Sequence, residues 1–233
     1  MKGAFKPETI KKFLADMKAM IAQFRENDND LNVVITMGNA KIGKVMNIST
    51  SPILTCPNCC ECSKHCYDVG DNLRFPNVRR ARAINTYLAI YKRHAYFAGI
   101  IGRISRARKC RFFRWHVGGE ILDLDYFTWM CRIAEMFPEW NFWSYTKNYS
   151  VVNEYVAEHG GDRHAAIPSN LSIMFSLWNG MPMNNPYDFP IFACEMPGYS
   201  YPEIEHICPG NCSACIAGHT GCPFGVSGKV ALH

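Results

Sequence analysis

The sequence predicts a single α/β domain, a partial (β/α) barrel followed by a cysteine-rich C-terminal coil. Three observations carry this expectation. Short β-prone runs alternate with helical ones, the order of a parallel sheet with right-handed crossovers. Two of the strands put apolar residues on one face and Arg, His or Ser on the other, as in a wall that is apolar where helices pack and polar where a ligand sits. The stretch from Pro197 onward is rich in Gly, Pro and Cys and has no period. With 233 residues, 48% of them hydrophobic, the chain buries a large core without covalent staples. The barrel body is placed at 1–196 and the cysteine-rich tail, packed on it, at 197–233. An open doubly wound sheet is the alternative, and in either architecture ligands collect beyond the carboxyl ends of the strands.

The elements follow in order. Pro7 to Glu26 is an amphipathic helix, with Ile10, Phe13, Leu14, Met17, Ile21 and Phe24 at helical spacing. Leu31 to Thr36 reads as a strand, Gly38 to Lys44 as a turn, and Val45 to Ser49 as a second short strand. Pro76 to about Arg108 is helical, broken near Gly99 and Gly102. Cys110 to Val117 alternates as a strand, with Phe113, Trp115 and Val117 on one face and Arg114 and His116 on the other. Asp125 is expected to cap a helix from Tyr126 to Phe137. Trp140 to Tyr145 is a strand, and Ser150 to His159 a helix closed by Gly160 and Gly161. Leu171 to Trp178 is a strand whose Leu171, Ile173, Phe175 and Leu177 oppose Ser172 and Ser176. Phe189 to Glu195 adds one more.

Nine of the twelve cysteines fall in two knots, Cys56, Cys59, Cys60, Cys62 and Cys66 near the first strand and Cys208, Cys212, Cys215 and Cys222 near the end. Clustered thiolates are soft ligands suited to iron–sulfur clusters or zinc. Paired Cys-x2-Cys spacings at Cys59/Cys62 and Cys212/Cys215 permit a zinc site drawn from both ends. Nine thiols exceed that need, and ligand type and number favour iron–sulfur. Cys208, Cys212, Cys215 and Cys222 form a complete quartet for a 4Fe-4S cluster. Cys56, Cys62 and Cys66 supply three more ligands, with Cys59 and Cys60 as alternates. Three cysteines without a fourth leave one iron open, the arrangement that binds S-adenosylmethionine.

The net charge of +5 is uneven. No Asp or Glu occurs from Asn72 to Gly119, which holds twelve basic residues; the rest of the chain has 13 basic and 20 acidic. The Arg79–Arg114 run is a candidate surface for nucleic acid, and solvation of a helix face is the plainer alternative. The N-terminus lacks an apolar signal core and no apolar run reaches the ~18 residues of a membrane span. A cytoplasmic, oxygen-sensitive protein without membrane contact is expected, in a compartment where disulfides do not persist.

The run from Ile53 to Tyr67, then Phe113 to Glu120, then Tyr145 to Lys147, then the cysteine-rich tail, resembles the phage "gene product 88" family. Thr55-Cys56-Pro57, the Cys62-x3-Cys66-Tyr67 ending and the Arg114-x-His116-x-x-Gly-acid stretch carry the resemblance, over about residues 33 to 222. It implies Cys56, Cys62 and Cys66 as ligands. Gly118-Gly119-Glu120, at the end of the strand after the first knot, is similar to the stretch that receives the methionine amino group in radical SAM proteins. The Cys208-x3-Cys212-x2-Cys215 spacing also matches that superfamily's motif, but only 18 residues follow Cys215, too few for the barrel that follows the motif there, so this match is a coincidence of cubane-binding spacing. These resemblances imply a radical-SAM-like fold. The expected site has Arg114, Gly118, Gly119, Glu120 and Tyr145 binding a cofactor, and His116, Glu120 and Lys147 acting in catalysis. The expected function is an iron–sulfur protein with one or two 4Fe-4S clusters, acting in redox or S-adenosylmethionine-dependent radical chemistry with an electron-donor protein and a small or macromolecular substrate. The alternative is a metal-stabilised nucleic-acid-binding module of a phage or mobile element.

Overall fold

A computed structural model describes residues 4–27, 30–38, 42–59 and 61–231. Its helices and strands, in chain order, are α1 (Pro7–Glu26), β1 (Met46–Ile48), α2 (Tyr67–Arg74), α3 (Pro76–Tyr91), α4 (Arg93–Ser105), β2 (Phe112–Trp115), α5 (Leu124–Met136), β3 (Asn141–Thr146), α6 (Tyr149–Glu158), α7 (Arg163–Ala166), β4 (Leu171–Leu177), β5 (Ile191–Glu195), α8 (Cys212–Ala217) and β6 (Gly228–Ala231). Two short 3-10 turns, Glu61–His65 and Cys222–Phe224, lie inside the cysteine knots.

All six strands are parallel and stand in the order β1-β2-β3-β4-β5-β6. A doubly wound sheet reverses its strand order at a switch point; this one does not reverse. Same-handed crossovers between successive neighbours place the connecting helices on one face. On that face Phe113, Trp115, Phe142, Leu171, Ile173 and Phe175 meet α1, α3, α4, α5 and α6 in one large core. The opposite, inner face carries a small cluster of Val45, Trp143, Met174 and Cys222, with Phe112, Tyr145, Phe192, Cys212 and Ile216 against it. The two faces differ in closure. Phe113, Trp115, Phe142 and Phe175 are sealed, whereas Phe112, Arg114, Tyr145 and Phe192 are each partly exposed.

Several expectations need correction. The residues before β1 make one antiparallel bridge, Thr36 to Asn47, rather than a strand. The break in the long helical run falls at Lys92, whose φ of −133° ends α3. Gly99 and Gly102 lie inside α4, where a Cβ on Gly99 would stand 2.7 Å from Val33 Cγ2. Asp123, not Asp125, caps α5 by accepting the Tyr126 N–H. The tail is not all coil, since it contributes α8 and the edge strand β6. Cys60, and residues 39–41 of the expected turn at Gly38–Lys44, lie outside the described residues. Among the described residues, no helix is long and apolar enough to cross a membrane.

Candidate functional site

The loop after β1 is held in place by polar contacts that its sequence supplies at close spacing. The Ser51 N–H donates to Thr86 Oγ1 at 2.7 Å, Asn85 Nδ2 donates to the Ser49 carbonyl at 2.9 Å, and Thr55 Oγ1 donates to the Ser51 carbonyl at 2.7 Å. Cys56 therefore leaves a base fixed by these hydrogen bonds, and the knot ends at Cys66, the residue preceding α2. In the first turn of α2, buried Asp68 binds Arg82 of α3, with Oδ1 2.9 Å from Nη2. Gly118 lies on this pair, and a Cβ there would meet Asp68 Oδ2 at 1.8 Å. Gly119, at φ 87°, has Thr50 Oγ1 in the same relation at 1.9 Å. Both glycines are thus needed to seat the end of β2 against the first knot.

Glu120 is buried and ties strand ends together. Its Oε1 accepts the Ile121 N–H and its Oε2 the Lys147 N–H, each at 2.8 Å. Burial raises its pKa, opposed by the Lys147 charge and these hydrogen bonds. The first knot's thiols are electrostatic neighbours of one another and of these groups: Cys56 senses Glu120, Cys66 and Lys147, and Cys66 senses Cys62. Cys59 is hydrogen-bonded to Cys62. Burial pushes the Cys56 thiol up strongly and the Cys66 thiol to about 11. Asn58 Nδ2 donates to the Lys147 carbonyl at 2.8 Å, closing the knot over the end of β3.

The second knot rests on the inner face. The Asn211 side chain caps α8 by accepting the Ser213 N–H, which fixes Cys212 and, one turn later, Cys215. The Cys208 N–H donates to the Lys229 carbonyl of β6. Gly221, at φ 71°, has no room for a Cβ beside the Cys215 sulfur at 3.0 Å and His206 Nε2 at 3.1 Å. Cys222 packs with Trp143 and Met174, and the Tyr145 hydroxyl is hydrogen-bonded to its sulfur. Burial raises Cys212, Cys215 and Cys222, the last to about 12, while Arg114 pulls Cys212 and Cys222 downward. Among the described residues no three His, Cys, Asp or Glu side chains are grouped about a metal position.

Arg114 projects from β2 into this second site. Its guanidinium lies 4.8 Å from the Tyr145 ring centroid and is hydrogen-bonded to Cys212. Partial burial works against its charge; Tyr145, Tyr67, Cys212 and Cys222, the groups around it able to become anions, outweigh that and raise its pKa. Its Nε is sealed from solvent without a hydrogen-bond partner among the described residues, as is Trp143 Nε1 beside Cys222. Two buried N–H donors without acceptors are costly. Negative charge on the Cys212 sulfur, to which the guanidinium is already hydrogen-bonded, would supply Arg114 with a counter-charge, as a thiolate ligand to a metal would.

The expected site residues divide between the knots. Glu120 and Lys147 stand with Cys56, Cys62 and Cys66; Arg114 and Tyr145 stand with Cys212 and Cys222. His116 does not share a face with Arg114. Its φ of 53° turns the ring to the helix layer, where Nδ1 is 3.2 Å from Ser144 Oγ and Nε2 3.0 Å from the Tyr126 hydroxyl. Enclosure lowers its pKa to about 3. Cys194, in the electrostatic reach of Lys147 and Cys62, and His206, 4.0 Å from the Cys215 sulfur, join the site without a sequence signal. Trp143 and Tyr67, whose hydroxyl donates to the Val117 carbonyl, are two further additions.

A family model described as Gene product 88 matches residues 22–187, so the chain belongs to that family. The match takes in the first knot and the ends of β2 and β3, and it stops before the second knot. No curated protein and no solved structure matches the chain.

Proposed function

We propose that this gene product 88 family member is an iron–sulfur protein. Cys208, Cys212, Cys215 and Cys222 would hold one 4Fe-4S cluster on the inner face of a partial barrel. Cys56, Cys62 and Cys66 would hold a second at the carboxyl ends of the strands, with Cys59 in reserve. The observation that carries the reading is Arg114. It is a partly buried guanidinium with an orphaned Nε among the described residues, set among Tyr145, Tyr67, Cys212 and Cys222. A metal that deprotonates Cys212 and Cys222 supplies that guanidinium with a counter-charge.

A bound cluster supplies one-electron transfer. Around it the chain's own groups have distinct tasks. Arg114 balances charge, Tyr145 donates a hydrogen bond to the Cys222 sulfur, and the Asp68–Arg82 pair holds the first knot against Gly118. Lys147, whose ammonium lies over the Trp178 ring 5.6 Å from its centroid, would bind a carboxylate at the first knot. For S-adenosylmethionine, the Glu120 carboxylate would receive an ammonium through lone pairs left over from its two backbone donors.

The test is the iron, sulfide and zinc content of protein purified without oxygen, followed by incubation with dithionite and S-adenosylmethionine. Iron and sulfide in equal amounts, up to eight of each per chain for two cubanes (~4 per cluster), support the centres. Zinc with no sulfide replaces them with structural knuckles. Failure to cleave the cofactor removes the radical chemistry and leaves the clusters.

A further inference from the structure

The basic run loses its unity in the folded chain. Arg82 is committed to Asp68, Arg93 to Asp123 and Asp125, and Arg79 pairs with Asp16 at 3.8 Å. Arg80 lies over the Phe24 ring, Arg111 bonds the Ala107 and Cys110 carbonyls, and Arg114 faces the second knot. Four cations remain together. Arg103, Arg106, Arg108 and Lys109, all exposed, line a cavity of about 390 Å³ with Met37 and buried Met46. No acidic residue lines it, and none of the four makes an ion pair among the described residues.

A plainer role for these cations is to neutralise the C-terminus of α4. That end is already served by other donors. Ser105 Oγ donates to the Ile101 carbonyl, the Ala107 N–H to the Ile104 carbonyl, and Arg111 to the Ala107 carbonyl. Arg106 folds back along its helix, with Nη1 3.4 Å from where a Cβ on Gly102 would sit, so the bare glycine gives the guanidinium its place. The cavity opens at the amino ends of β1 and β2, the opposite end of the sheet from the first knot. Four concentrated positive charges with no ion pair among the described residues, over a methionine floor able to take an apolar face, suit a ligand that alternates phosphates with flat rings.

We propose that this cavity binds the backbone of a single nucleic-acid strand, with Arg103, Arg106, Arg108 and Lys109 on successive phosphates and a base against Met37. The site is separate from both cysteine knots and does not depend on what they hold. Four phosphate contacts on a single strand give a slope of about −3 for log affinity against log salt. Affinity therefore falls about 50-fold between about 50 and about 200 mM salt.

The experiment is fluorescence anisotropy of a labelled single-stranded oligonucleotide with the full chain as purified, metal retained. Competitors are unlabelled single strand, duplex of the same sequence, and inorganic tripolyphosphate. The expected result is salt-dependent binding that single strand competes best. Arg106→Glu with Arg108→Glu should weaken it at least ~tenfold, while the same charge change at Lys11 and Lys12, exposed on α1, should leave it within about twofold. Thermal melts that superimpose establish that the variants are folded, and a single Arg106→Gln, expected to lower the salt slope by about one, serves if the double variant does not fold. Absence of binding at low salt overturns the proposal. So does an equal loss in the Lys11 and Lys12 variant, which would reveal only net charge. Competition by tripolyphosphate as strong as by the oligonucleotide would assign the cavity to a small phosphate ligand and likewise overturn it.

Discussion

Replacing His116 with Gln tests the most unusual side chain on β2. The imidazole is 4% exposed, sits between Ser144 and Tyr126, and its pKa is lowered from 6.5 to about 3 by burial. In the unfolded chain it titrates near 6.5. Above that pH both states carry a neutral ring and the group adds no pH dependence. Below it the unfolded state takes up a proton that the folded state refuses, so stability falls as pH falls, down to the folded value near 3. Each pH unit in that window costs about 1.4 kcal/mol. Between about pH 7.5 and about pH 4.5 His116 alone removes about 2.7 kcal/mol. Gln keeps the polar contacts and cannot titrate. Urea unfolding at both values should show the variant losing about 2.7 kcal/mol less than the unaltered chain. Carboxylates such as Asp123, held low by Arg93, add a pH dependence common to both proteins. The constant cost of Gln at a φ of 53° also cancels between the two pH values. Equal losses in the two proteins would refute the placement of a neutral ring in the helix layer.

Gly118→Ala should destabilise by about 3 kcal/mol or more, because its methyl would meet Asp68 Oδ2 at 1.8 Å and displace it from Arg82; a denaturation midpoint equal to that of the unaltered chain would refute this. Arg114→Met should weaken metal uptake at the second knot by about tenfold, read by cobalt titration of the metal-free chain, with partial recovery in Arg114→Lys. An unchanged affinity would deny the charge-balancing role. Loading metal at neutral pH should release about one proton per thiol ligand, since burial holds Cys66 near 11 and Cys222 near 12. A weakly buffered indicator solution that shows no acidification would exclude these thiols as ligands.

Much of the framework was legible because its signals are local. The alternation of Leu171, Ile173 and Phe175 against Ser172 placed β4 and assigned its faces correctly: Ser172 Oγ meets the Pro223 carbonyl on the inner face. The apolar stripe of α1 read the same from period alone. His116 was misread because alternation was extended one residue beyond the end of β2, where a positive φ reverses the side chain's direction. Gly99 and Gly102 looked like breaks because their neighbours, Val33 and Arg106, are invisible to a periodicity argument. β6, four residues long and parallel to a strand some thirty residues earlier, has too little pattern of its own to be seen.

Residue order alone determined the alternation of helices and strands, the membership of each thiol knot and the acid-free basic run. Those features rest on neighbours within a few positions, and that is the range over which backbone geometry imposes a period. Which knot each strand-end group serves was decided only by the folded sheet. Arg114 and Tyr145 meet the tail's thiols, Glu120 and Lys147 meet the first knot, and the basic run divides into ion-paired Arg79, Arg82 and Arg93, inward Arg114, and a group at Arg103, Arg106, Arg108 and Lys109 with no ion pair among the described residues. Such partnerships depend on strand order and on packing between residues far apart in the chain, distances that no local pattern encodes.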